Sequence, residues 1–367
     1  MQTYPLKSLS INEAIKLQQK LVDSIQSEFT GKELLTAGDY GLDPDLKKPR
    51  YSARVENVLA DFFGAEKALL VRGAGTGAIR SFFNANLNTG DKVLIHQAPI
   101  YPTTEVTFKS MGLETNKFDF NKLKKLADHR LLPENNFSAI LVQHSRQKID
   151  DSYEFSKVIE ILNIKYPETP IITDDNYAAM KVNKIGVEAG ADLSTFSLFK
   201  LQGPPGIGLL VGRKKYLEKV EKINYSGGSQ IQGPEAMEAL RSLVNTPVSL
   251  AIQAQTVKEI NRRLNQGEVA EIKNTFIANA QSKVVIIEFE KAFAKRFLAA
   301  VNNFGGVPYP VGSESRYEIG AMFYRISGTF RQHNPEAEEY MVRINPMRAG
   351  ADTVIKIIKE TISSLKR

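Results

Sequence analysis

Short apolar runs separated by helix-like stretches dominate residues 46–250. The runs are Ala68–Val71, Lys92–Ile95, Ala139–Val142, Pro170–Thr173, Leu193–Phe196 and Ile207–Val211. A short apolar run bounded by turn residues is typical of a strand that is buried on both faces. Because these runs alternate with helical patterns, the sequence predicts an α/β fold with a mostly parallel sheet sandwiched by helices.

The N-terminal part of the chain has a different pattern. Ser10 and Glu13 form a capping-box pattern, and the amphipathic stretch that follows predicts a helix to about Phe29. Residues 30–49 are rich in Gly, Asp, Pro and Lys, which indicates an extended connection. Helical periodicity returns over Val55–Phe63, where the alternating region begins.

Beyond residue 250 the pattern changes again. A long helical stretch is followed by the strand pattern Val284–Phe289, another strand-like segment and a helix from about Ala351. We therefore predict three parts: an N-terminal helix and connection over 1–45, a large domain over 46–250 and a smaller α+β domain over 251–367.

The composition narrows the class of protein. The chain has 367 residues, a formal net charge of +7 and no cysteine, and its basic and acidic residues are interleaved. The absence of cysteine excludes disulfides, thiolate catalysis and cysteine-ligated metals, and it fits the reducing cytoplasm, where we expect the protein. Mixed charge is typical of a solvated surface, and no run approaches the ~20 apolar residues of a membrane helix. We therefore expect neither a nucleic acid nor a membrane as a partner.

A lysine follows one of the predicted strands. Lys200 stands between Leu193–Phe196 and the Gly/Pro-rich segment Gly203–Gly208, which leads into the next strand. A lysine at the end of an apolar strand needs a charged partner or a covalent bond, and an imine to an aldehyde cofactor supplies such a bond. For this residue taken alone, a solvated lysine at a strand end is the alternative.

Acidic residues follow an earlier predicted strand. Asp174 and Asp175 end the run that begins at Pro170, and Tyr177 comes shortly after them. A carboxylate here would keep a pyridinium nitrogen protonated, and a tyrosine at this spacing would reach the ring hydroxyl. Successive strand residues face opposite sides, so either aspartate can be the partner. A simple turn after the strand is the alternative.

A glycine-rich segment joins the first predicted strand to a helix. It contains Gly75 and Thr76, and N–H groups at the start of a helix bind phosphate. The segment also matches the weak dinucleotide pattern G-x-G-x-x-A, which requires an acidic residue at the end of the next strand. That strand ends in His96 and Gln97. A site for a single phosphate group therefore fits better than a site for NAD.

Two further residues suggest contacts with a planar ring and with an anion. Tyr101 follows the predicted strand Lys92–Ile95 and is placed to lie against a ring, with plain packing as the alternative. Arg343 stands inside the apolar segment Met341–Asn345, and a buried arginine usually pairs with an anion. That anion is either a substrate carboxylate or an internal Asp or Glu.

In this order, the segments resemble the fold-type I pyridoxal-phosphate enzymes of the aspartate aminotransferase superfamily. The order is a glycine-rich phosphate segment, an aromatic residue, Asp-x-x-Tyr, Ser-x-x-Lys and a late arginine, spread over residues 51–352. The chain looks most like the lyases of cysteine and methionine metabolism and their aluminium-resistance relatives. Gly203–Gly208 also resembles a segment of the cysteine desulfurases.

The resemblance implies a role for each matched residue. Lys200 would form an imine with pyridoxal 5′-phosphate and move protons, Asp174 would pair with the ring nitrogen, and Tyr177 would lie near the ring hydroxyl. Gly75 and Thr76 would donate backbone N–H groups to the phosphate.

Other matches imply contacts with the phosphate, the ring and the substrate. Ser197 would assist in binding the phosphate, Tyr101 would stack on the ring, and Arg343 would hold a substrate carboxylate. Tyr51 and Arg54 resemble a Tyr-Ser-Arg segment that reaches the phosphate of a neighbouring subunit. The resemblance therefore implies a homodimer or homotetramer.

The implied function is that of an enzyme acting on an amino acid or a related amine. We expect an aminotransferase in which the substrate displaces Lys200, whose amine then takes the Cα proton. The alternative is a lyase of sulfur amino-acid metabolism that eliminates a β- or γ-substituent. Arg146 resembles a residue of the aluminium-resistance relatives and would line the substrate side, unless it forms a structural salt bridge. An NAD-binding enzyme and a non-catalytic cofactor-binding protein are the outside alternatives.

Overall fold

The computed structural model describes residues 2–145, 147–280, 282–311, 314–327, 330–331 and 334–366. The chain divides into two compact units, a larger one of residues 12–144 and 153–247 and a smaller one of residues 1–11, 145–152 and 248–367. The predicted domain boundaries at 45/46 and 250/251 stay predictions, because a division into compact units does not test independent folding.

Helices precede, separate and follow the strands of the larger unit. They are α1 (Ile11–Glu28), α2 (Arg50–Phe62), α3 (Ala74–Asn86), α4 (Pro102–Met111), α5 (Phe155–Lys165), α6 (Lys214–Ile223) and α7 (Gly233–Asn265), the last of which continues into the smaller unit. Short 3₁₀ helices occur at Glu33–Leu35, Phe120–Lys122, Leu126–Leu131, Val187–Ala189 and Phe199–Leu201. Of the helices in the described residues, none combines the length and the apolar character that a bilayer crossing demands.

The larger unit is built on a 7-stranded sheet in the order β1-β7-β6-β5-β4-β2-β3. Its strands are β1 (Lys67–Arg72), β2 (Lys92–His96), β3 (Glu114–Phe118), β4 (Ala139–Gln143), β5 (Ile171–Asp174), β6 (Leu193–Ser197) and β7 (Ile207–Gly212). Neighbours from β3 to β6 are parallel, whereas β7 runs antiparallel to both β1 and β6. The predicted α/β fold with a mostly parallel sheet is therefore confirmed.

Apolar side chains cover both faces of this sheet. Leu141 and Ile172 pack on one face with Phe82 of α3. Ile140, the residue next to Leu141 in β4, points to the other face of the sheet, where it packs against Ile159 of α5. Burial on both faces explains why these strands appear as continuous apolar runs rather than as alternating ones.

The smaller unit contains a 4-stranded antiparallel sheet in the order β10-β11-β9-β8. Its strands are β8 (Ile272–Ala280), β9 (Ser282–Phe289), β10 (Met322–Arg325) and β11 (Met341–Asn345). Its own helices are α8 (Ala294–Ala300), α9 (Ala337–Tyr340) and α10 (Ala351–Lys366), with a 3₁₀ turn at Val301–Phe304. Phe297 of α8 and Ile358 of α10 pack in one core with Val285 and Val342 of the sheet.

Each apolar run named from the sequence forms a strand, and the predicted helices at Ile11 and Ala351 also form. Several predictions were incomplete. Strands β8 and β10 of the smaller unit were not predicted. Helix α2 begins at Arg50, earlier than Val55, because Pro49 immediately precedes it and favours a helix start. Strand β3 was missed because it lies at the edge of the sheet and carries polar side chains that are mostly exposed.

The Gly/Pro-rich turn before β7 holds the glycine-rich segment before α3. The carbonyl of Gly206 accepts hydrogen bonds from the N–H groups of Gly73 and Ala74, at 2.8 and 3.0 Å. A Cβ atom on Gly208 would lie 2.1 Å from the carbonyl oxygen of Ala74. These contacts bring the start of α3 against β7, and only a residue without a side chain fits at position 208.

Replacing Gly208 by alanine should destabilise the protein strongly. The added methyl group would overlap a backbone oxygen, which costs about 3 kcal/mol and lowers Tm by about 4 °C in a chain of this length. Thermal unfolding followed by circular dichroism measures this change. Gly228→Ala is the matched control, because a Cβ there would meet nothing within 4 Å. Equal Tm values for the two variants would contradict the packing described for Gly208.

Candidate active site

The candidate site lies in the larger unit, at the edge of the sheet where the parallel strands end. Strand β5 ends at Asp174, which pairs with Thr195 of β6 on one side and with Gln143 of β4 on the other. Strand β6 ends at Ser197, and the 3₁₀ turn that carries Lys200 follows. Ligands of parallel α/β sheets bind outside the carboxyl ends of the strands.

The two neighbouring carboxylates at this edge have different surroundings. Asp175 is fully buried, contacts Nδ1 of His144 at 2.6 Å, and accepts hydrogen bonds from the Thr173 hydroxyl and the Gly186 N–H. Asp174 accepts two hydrogen bonds at Oδ1, from the backbone N–H and the side-chain amide of Asn176, at 3.0 and 2.7 Å. No hydrogen bond from the described residues reaches its Oδ2. Both oxygens of Asp175 are thus used in contacts within the protein, whereas Asp174 keeps one oxygen that can accept a hydrogen bond from a ligand.

Burial dominates the electrostatics of Asp174. It raises the pKa of the Asp174 carboxyl above its ordinary value, while the charge of Lys200 and the two hydrogen bonds from Asn176 act against the rise. The side chain is only 5% exposed. A cationic ligand group beside Oδ2 would lower this pKa and so would bind more tightly to the ionised form.

Lys200 extends its amine toward this carboxylate. Its Nζ lies 3.3 Å from Oδ1 of Asn176 and 4.0 Å from the centroid of the Tyr177 ring. The turn that carries it is fixed by hydrogen bonds from the Thr246 hydroxyl to the Leu201 carbonyl, at 2.8 Å, and from the Gly203 N–H to the Leu198 carbonyl. The lysine backbone is therefore held while its side chain faces the strand ends.

Two tyrosine rings flank the lysine amine. Tyr177 is buried and has a φ of 66°, an uncommon conformation for a residue with a bulky side chain. Tyr101, immediately before α4, has its ring centroid 6.0 Å from Nζ of Lys200. Burial raises the pKa of Tyr101, the nearby Tyr177 and Asp174 add to the rise, and Lys200 opposes it. The predicted Asp, Tyr, Tyr and Lys are thus close enough to influence one another.

The glycine-rich segment approaches the same residues. Gly75 and Thr76 stand at the second and third positions of α3, where N–H groups have no acceptor in a preceding turn. A Cβ atom on Gly75 would lie 2.4 Å from the side-chain amide of Asn176. The Thr76 hydroxyl is 2.8 Å from that of Thr103, which ties α3 to α4. Ser197 is buried at the end of β6, and its N–H donates to Asn176.

Other predicted site residues have contacts elsewhere. Arg54 pairs with Glu28 and Glu33 and lies over the Phe29 ring, 4.2 Å from its centroid. The pKa of Glu33 falls to about 2, chiefly through its hydrogen bond from Arg54. Tyr51 stacks on the same Phe29 ring, at 5.9 Å between centroids. The proposed reach of Tyr51 and Arg54 to a neighbouring subunit stays a prediction.

Of the two predicted substrate arginines, the structure describes Arg343. Arg343 lies in β11 of the smaller unit, where its buried guanidinium stacks on the Tyr324 ring at 3.9 Å. Its role as a carboxylate ligand stays a prediction. Arg146 lies outside the described residues.

The sequence reasoning missed the contributions of Asn176 and His144. Asn176 was not among the predicted site residues, yet its side chain contacts Asp174, Ser197 and Lys200. The ring of His144 is parallel to that of Phe155, with 3.6 Å between centroids, and binds Asp175 behind the strand end. Both residues follow strands, β4 and β5, at the carboxyl edge of the sheet. This position is the feature of the sequence from which their part in the site could have been predicted.

Comparison with known proteins assigns the chain to a family. The model of the aminotransferase class-V family matches residues 50–239, more than half of the chain. The model of the YhfS-like C-terminal domain matches residues 258–358. The chain therefore belongs to the aminotransferase class-V family, among the pyridoxal-phosphate enzymes of fold type I.

A relative from Escherichia coli resembles the whole chain. The E. coli protein YhfS is 50% identical over 365 residues, which is 100% of each chain. The crystal structure of the pyridoxal-5′-phosphate-dependent protein YhfS from E. coli matches with a TM-score of 0.96 and covers 99% of this chain and 100% of that one. The protein is therefore a pyridoxal-phosphate-dependent enzyme, and the cofactor predicted from the sequence is confirmed.

More distant relatives share parts of the sequence or the fold. A probable cysteine desulfurase from Halalkalibacterium halodurans is 28% identical over 172 residues, which is 44% of this chain and 41% of that one. The structure of a carbon–sulfur lyase involved in aluminium resistance from Clostridium novyi has a TM-score of 0.69 and 17% identity, and covers 97% of this chain and 91% of that one. This low identity shows a common fold and no more.

Neutralising the two aspartates should have opposite effects. Asp174→Asn removes a buried charge. Since a carboxyl whose pKa is raised by folding destabilises the folded state once the pH exceeds its ordinary pKa, the unloaded variant keeps or gains thermal stability at neutral pH. Its affinity for pyridoxal phosphate falls about tenfold to a hundredfold, the worth of one hydrogen bond to a charged group. Asp175→Asn replaces one of two buried acceptor oxygens, which serve His144 and Thr173, by an amide NH2 group and costs about 2–3 kcal/mol of stability.

Thermal unfolding without cofactor and titration with pyridoxal phosphate measure both effects on each variant. A loss of stability in Asp174→Asn together with lost cofactor affinity only in Asp175→Asn would show that the two carboxylates have been assigned the wrong way round.

Proposed function

We propose that the protein is an aminotransferase that acts on an amino acid or a related amine. The observation that supports this function best is the position of the Lys200 amine. The amine lies 4.0 Å from the centroid of the Tyr177 ring and is close enough to the buried Asp174 to affect the pKa of that carboxyl. Membership of the aminotransferase class-V family supports the same class of reaction.

The residues at the strand ends fit pyridoxal phosphate. Asp174 is a buried carboxylate whose Oδ2 accepts nothing from the described residues, and a protonated ring nitrogen is the donor that such an acceptor needs. Lys200 offers an amine for the aldehyde. Tyr177 lies beside that amine, where it would neighbour the ring hydroxyl, and Tyr101 would lie against the ring.

The start of α3 fits the phosphate group. Gly75 and Thr76 would donate their N–H groups there, where the helix dipole favours an anion. Ser197, three residues before Lys200, would add its hydroxyl. The carbonyl of Gly206 supports this glycine-rich segment by accepting hydrogen bonds from the N–H groups of Gly73 and Ala74.

In this proposal the chain's own residues manage one proton. Bound pyridoxal phosphate supplies an electron sink that makes the Cα–H bond of the substrate acidic. The Lys200 amine takes the proton from Cα and holds it within the site. The rings of Tyr101 and Tyr177 flank this amine, where they would limit the access of water to it. Asp174 stays ionised so that the ring nitrogen stays protonated.

Cleavage of a carbon–sulfur bond is the second candidate. The partial match to a probable cysteine desulfurase favours it, and such cleavage can begin with the same loss of a Cα proton. The chain contains no cysteine, so in this case sulfur would leave as a free thiol or sulfide and would not stay on a protein thiol. The proton-handling role of Lys200 is the same in both candidates.

A substrate screen with and without an added 2-keto acid separates the two reactions. We expect individual amino acids to yield their keto acids only when the second keto acid is present as acceptor. Lys200→Ala should lower this rate by about 10²–10⁴-fold, the usual contribution of a positioned acid–base group. Chromatography of the keto acids measures both quantities.

The same screen contains the contrary result. Release of thiol, sulfide or ammonia from sulfur amino acids without an added keto acid would show that the protein is a lyase and not an aminotransferase. Turnover in Lys200→Ala close to that of the unaltered protein would remove the basis of both candidates.

A further inference from the structure

One amide group contacts most parts of the candidate site. The side-chain nitrogen Nδ2 of Asn176 donates to Oδ1 of Asp174 at 2.7 Å. Its side-chain oxygen Oδ1 accepts from the Ser197 N–H at 3.0 Å and from Nζ of Lys200 at 3.3 Å. The two ends of the amide therefore serve groups of opposite charge, with the donor on the carboxylate and the acceptor on the ammonium.

The amide has little freedom to turn away from these partners. The Asn176 backbone N–H also donates to Asp174, which fixes the start of the side chain. On its other side the amide lies against Gly75, where a Cβ atom would be 2.4 Å from Nδ2 and 2.5 Å from Oδ1. The Ser197 N–H, held at the end of β6, fixes the oxygen end. A glycine in the phosphate segment is thus required by the position of this asparagine.

We propose that Asn176 is a positioning residue that holds the Asp174 carboxylate and the Lys200 amine with opposite ends of its amide. This inference rests on the proposed function of Lys200 as the residue that joins the cofactor. The nitrogen end keeps Asp174 ionised and oriented. The oxygen end keeps the Lys200 amine beside the strand ends whenever that amine carries no other bond, so that it is available both to move a proton and to rejoin the cofactor.

The choice of asparagine follows from the two contacts. Alanine at position 176 would lack both ends of the amide. Aspartate has almost the same shape and keeps an oxygen for Lys200, but it places a second carboxylate against Asp174, and two such groups share a proton. The two substitutions therefore separate the function of the nitrogen end from that of the oxygen end.

The first readout is the pH dependence of cofactor retention. The hydrogen bond from the Asn176 side-chain amide lowers the pKa of Asp174, so its loss raises that pKa, although the bond from the Asn176 backbone N–H stays. The acid limb of pyridoxal-phosphate binding is the pH range in which binding is lost on acidification. In Asn176→Ala and in Asn176→Asp, this limb should move to higher pH by about one unit, which corresponds to a tenfold change in proton affinity. A purely structural defect would lower the affinity at every pH without moving the limb.

The second readout is the rate at which added pyridoxal phosphate becomes linked to Lys200 in the unloaded protein. In this step the amine attacks the aldehyde carbon and water leaves, and the rise in visible absorbance reports it. At saturating cofactor, Asn176→Ala should be slower by about tenfold, the worth of one hydrogen bond to a charged group. Asn176→Asp keeps the acceptor and should stay within about twofold of the unaltered protein.

Asp175→Asn is the matched control, because it alters the neighbouring residue of the same turn, whose carboxylate contacts His144. It should lower Tm, and because the charge of Asp175 helps to raise the pKa of Asp174, its loss should move the acid limb to lower pH, opposite to the shift expected of the Asn176 variants. An unmoved acid limb and an unchanged linking rate in Asn176→Ala would overturn the inference about Asn176 alone. If the alanine variant does not fold, an unmoved acid limb in Asn176→Asp would overturn it equally. Failure of the unaltered protein to link the cofactor at Lys200 would instead overturn the proposed function.

Discussion

The cost of burying the Asp174 carboxylate governs this site. An ionised group away from water needs a cation or several hydrogen-bond donors. Here Asn176 supplies two donors, both to one oxygen, and Lys200 supplies the nearby charge. The second oxygen is left for a ligand. A chain that only needed stability would have no reason to keep such an acid at the end of a strand, so the arrangement indicates a cationic ligand.

Backbone contacts hold the groups around this carboxylate. Gly206 binds the N–H groups before α3, and Gly208 leaves room for the Ala74 carbonyl, so the turn after Lys200 supports the phosphate segment. Gly75 in turn leaves room for Asn176. Segments that are far apart in the chain therefore meet because glycines let the backbones approach closely. The same glycines appear in the sequence motifs that suggested a pyridoxal-phosphate enzyme.

The sequence was sufficient for the strands that are buried on both faces and for the residues that follow them. Strand β3 escaped because an exposed edge strand has no apolar run. The alternation of strand residues predicted that Asp174 and Asp175 face opposite sides of the sheet. The contact with His144 then shows that Asp175 is the aspartate with a structural role. The role of Asn176 depends on contacts with Gly75, Ser197 and Lys200, and such long-range contacts leave no pattern in a single sequence.

Mass spectrometry of the borohydride-reduced protein tests the central claim most directly. After incubation with pyridoxal phosphate, reduction and digestion, we expect the reduced cofactor on the peptide that contains Lys200. The same treatment should leave Lys200→Ala unlabelled. Cofactor attached to a different lysine, or an unlabelled Lys200 peptide from protein that has bound the cofactor, would contradict the account.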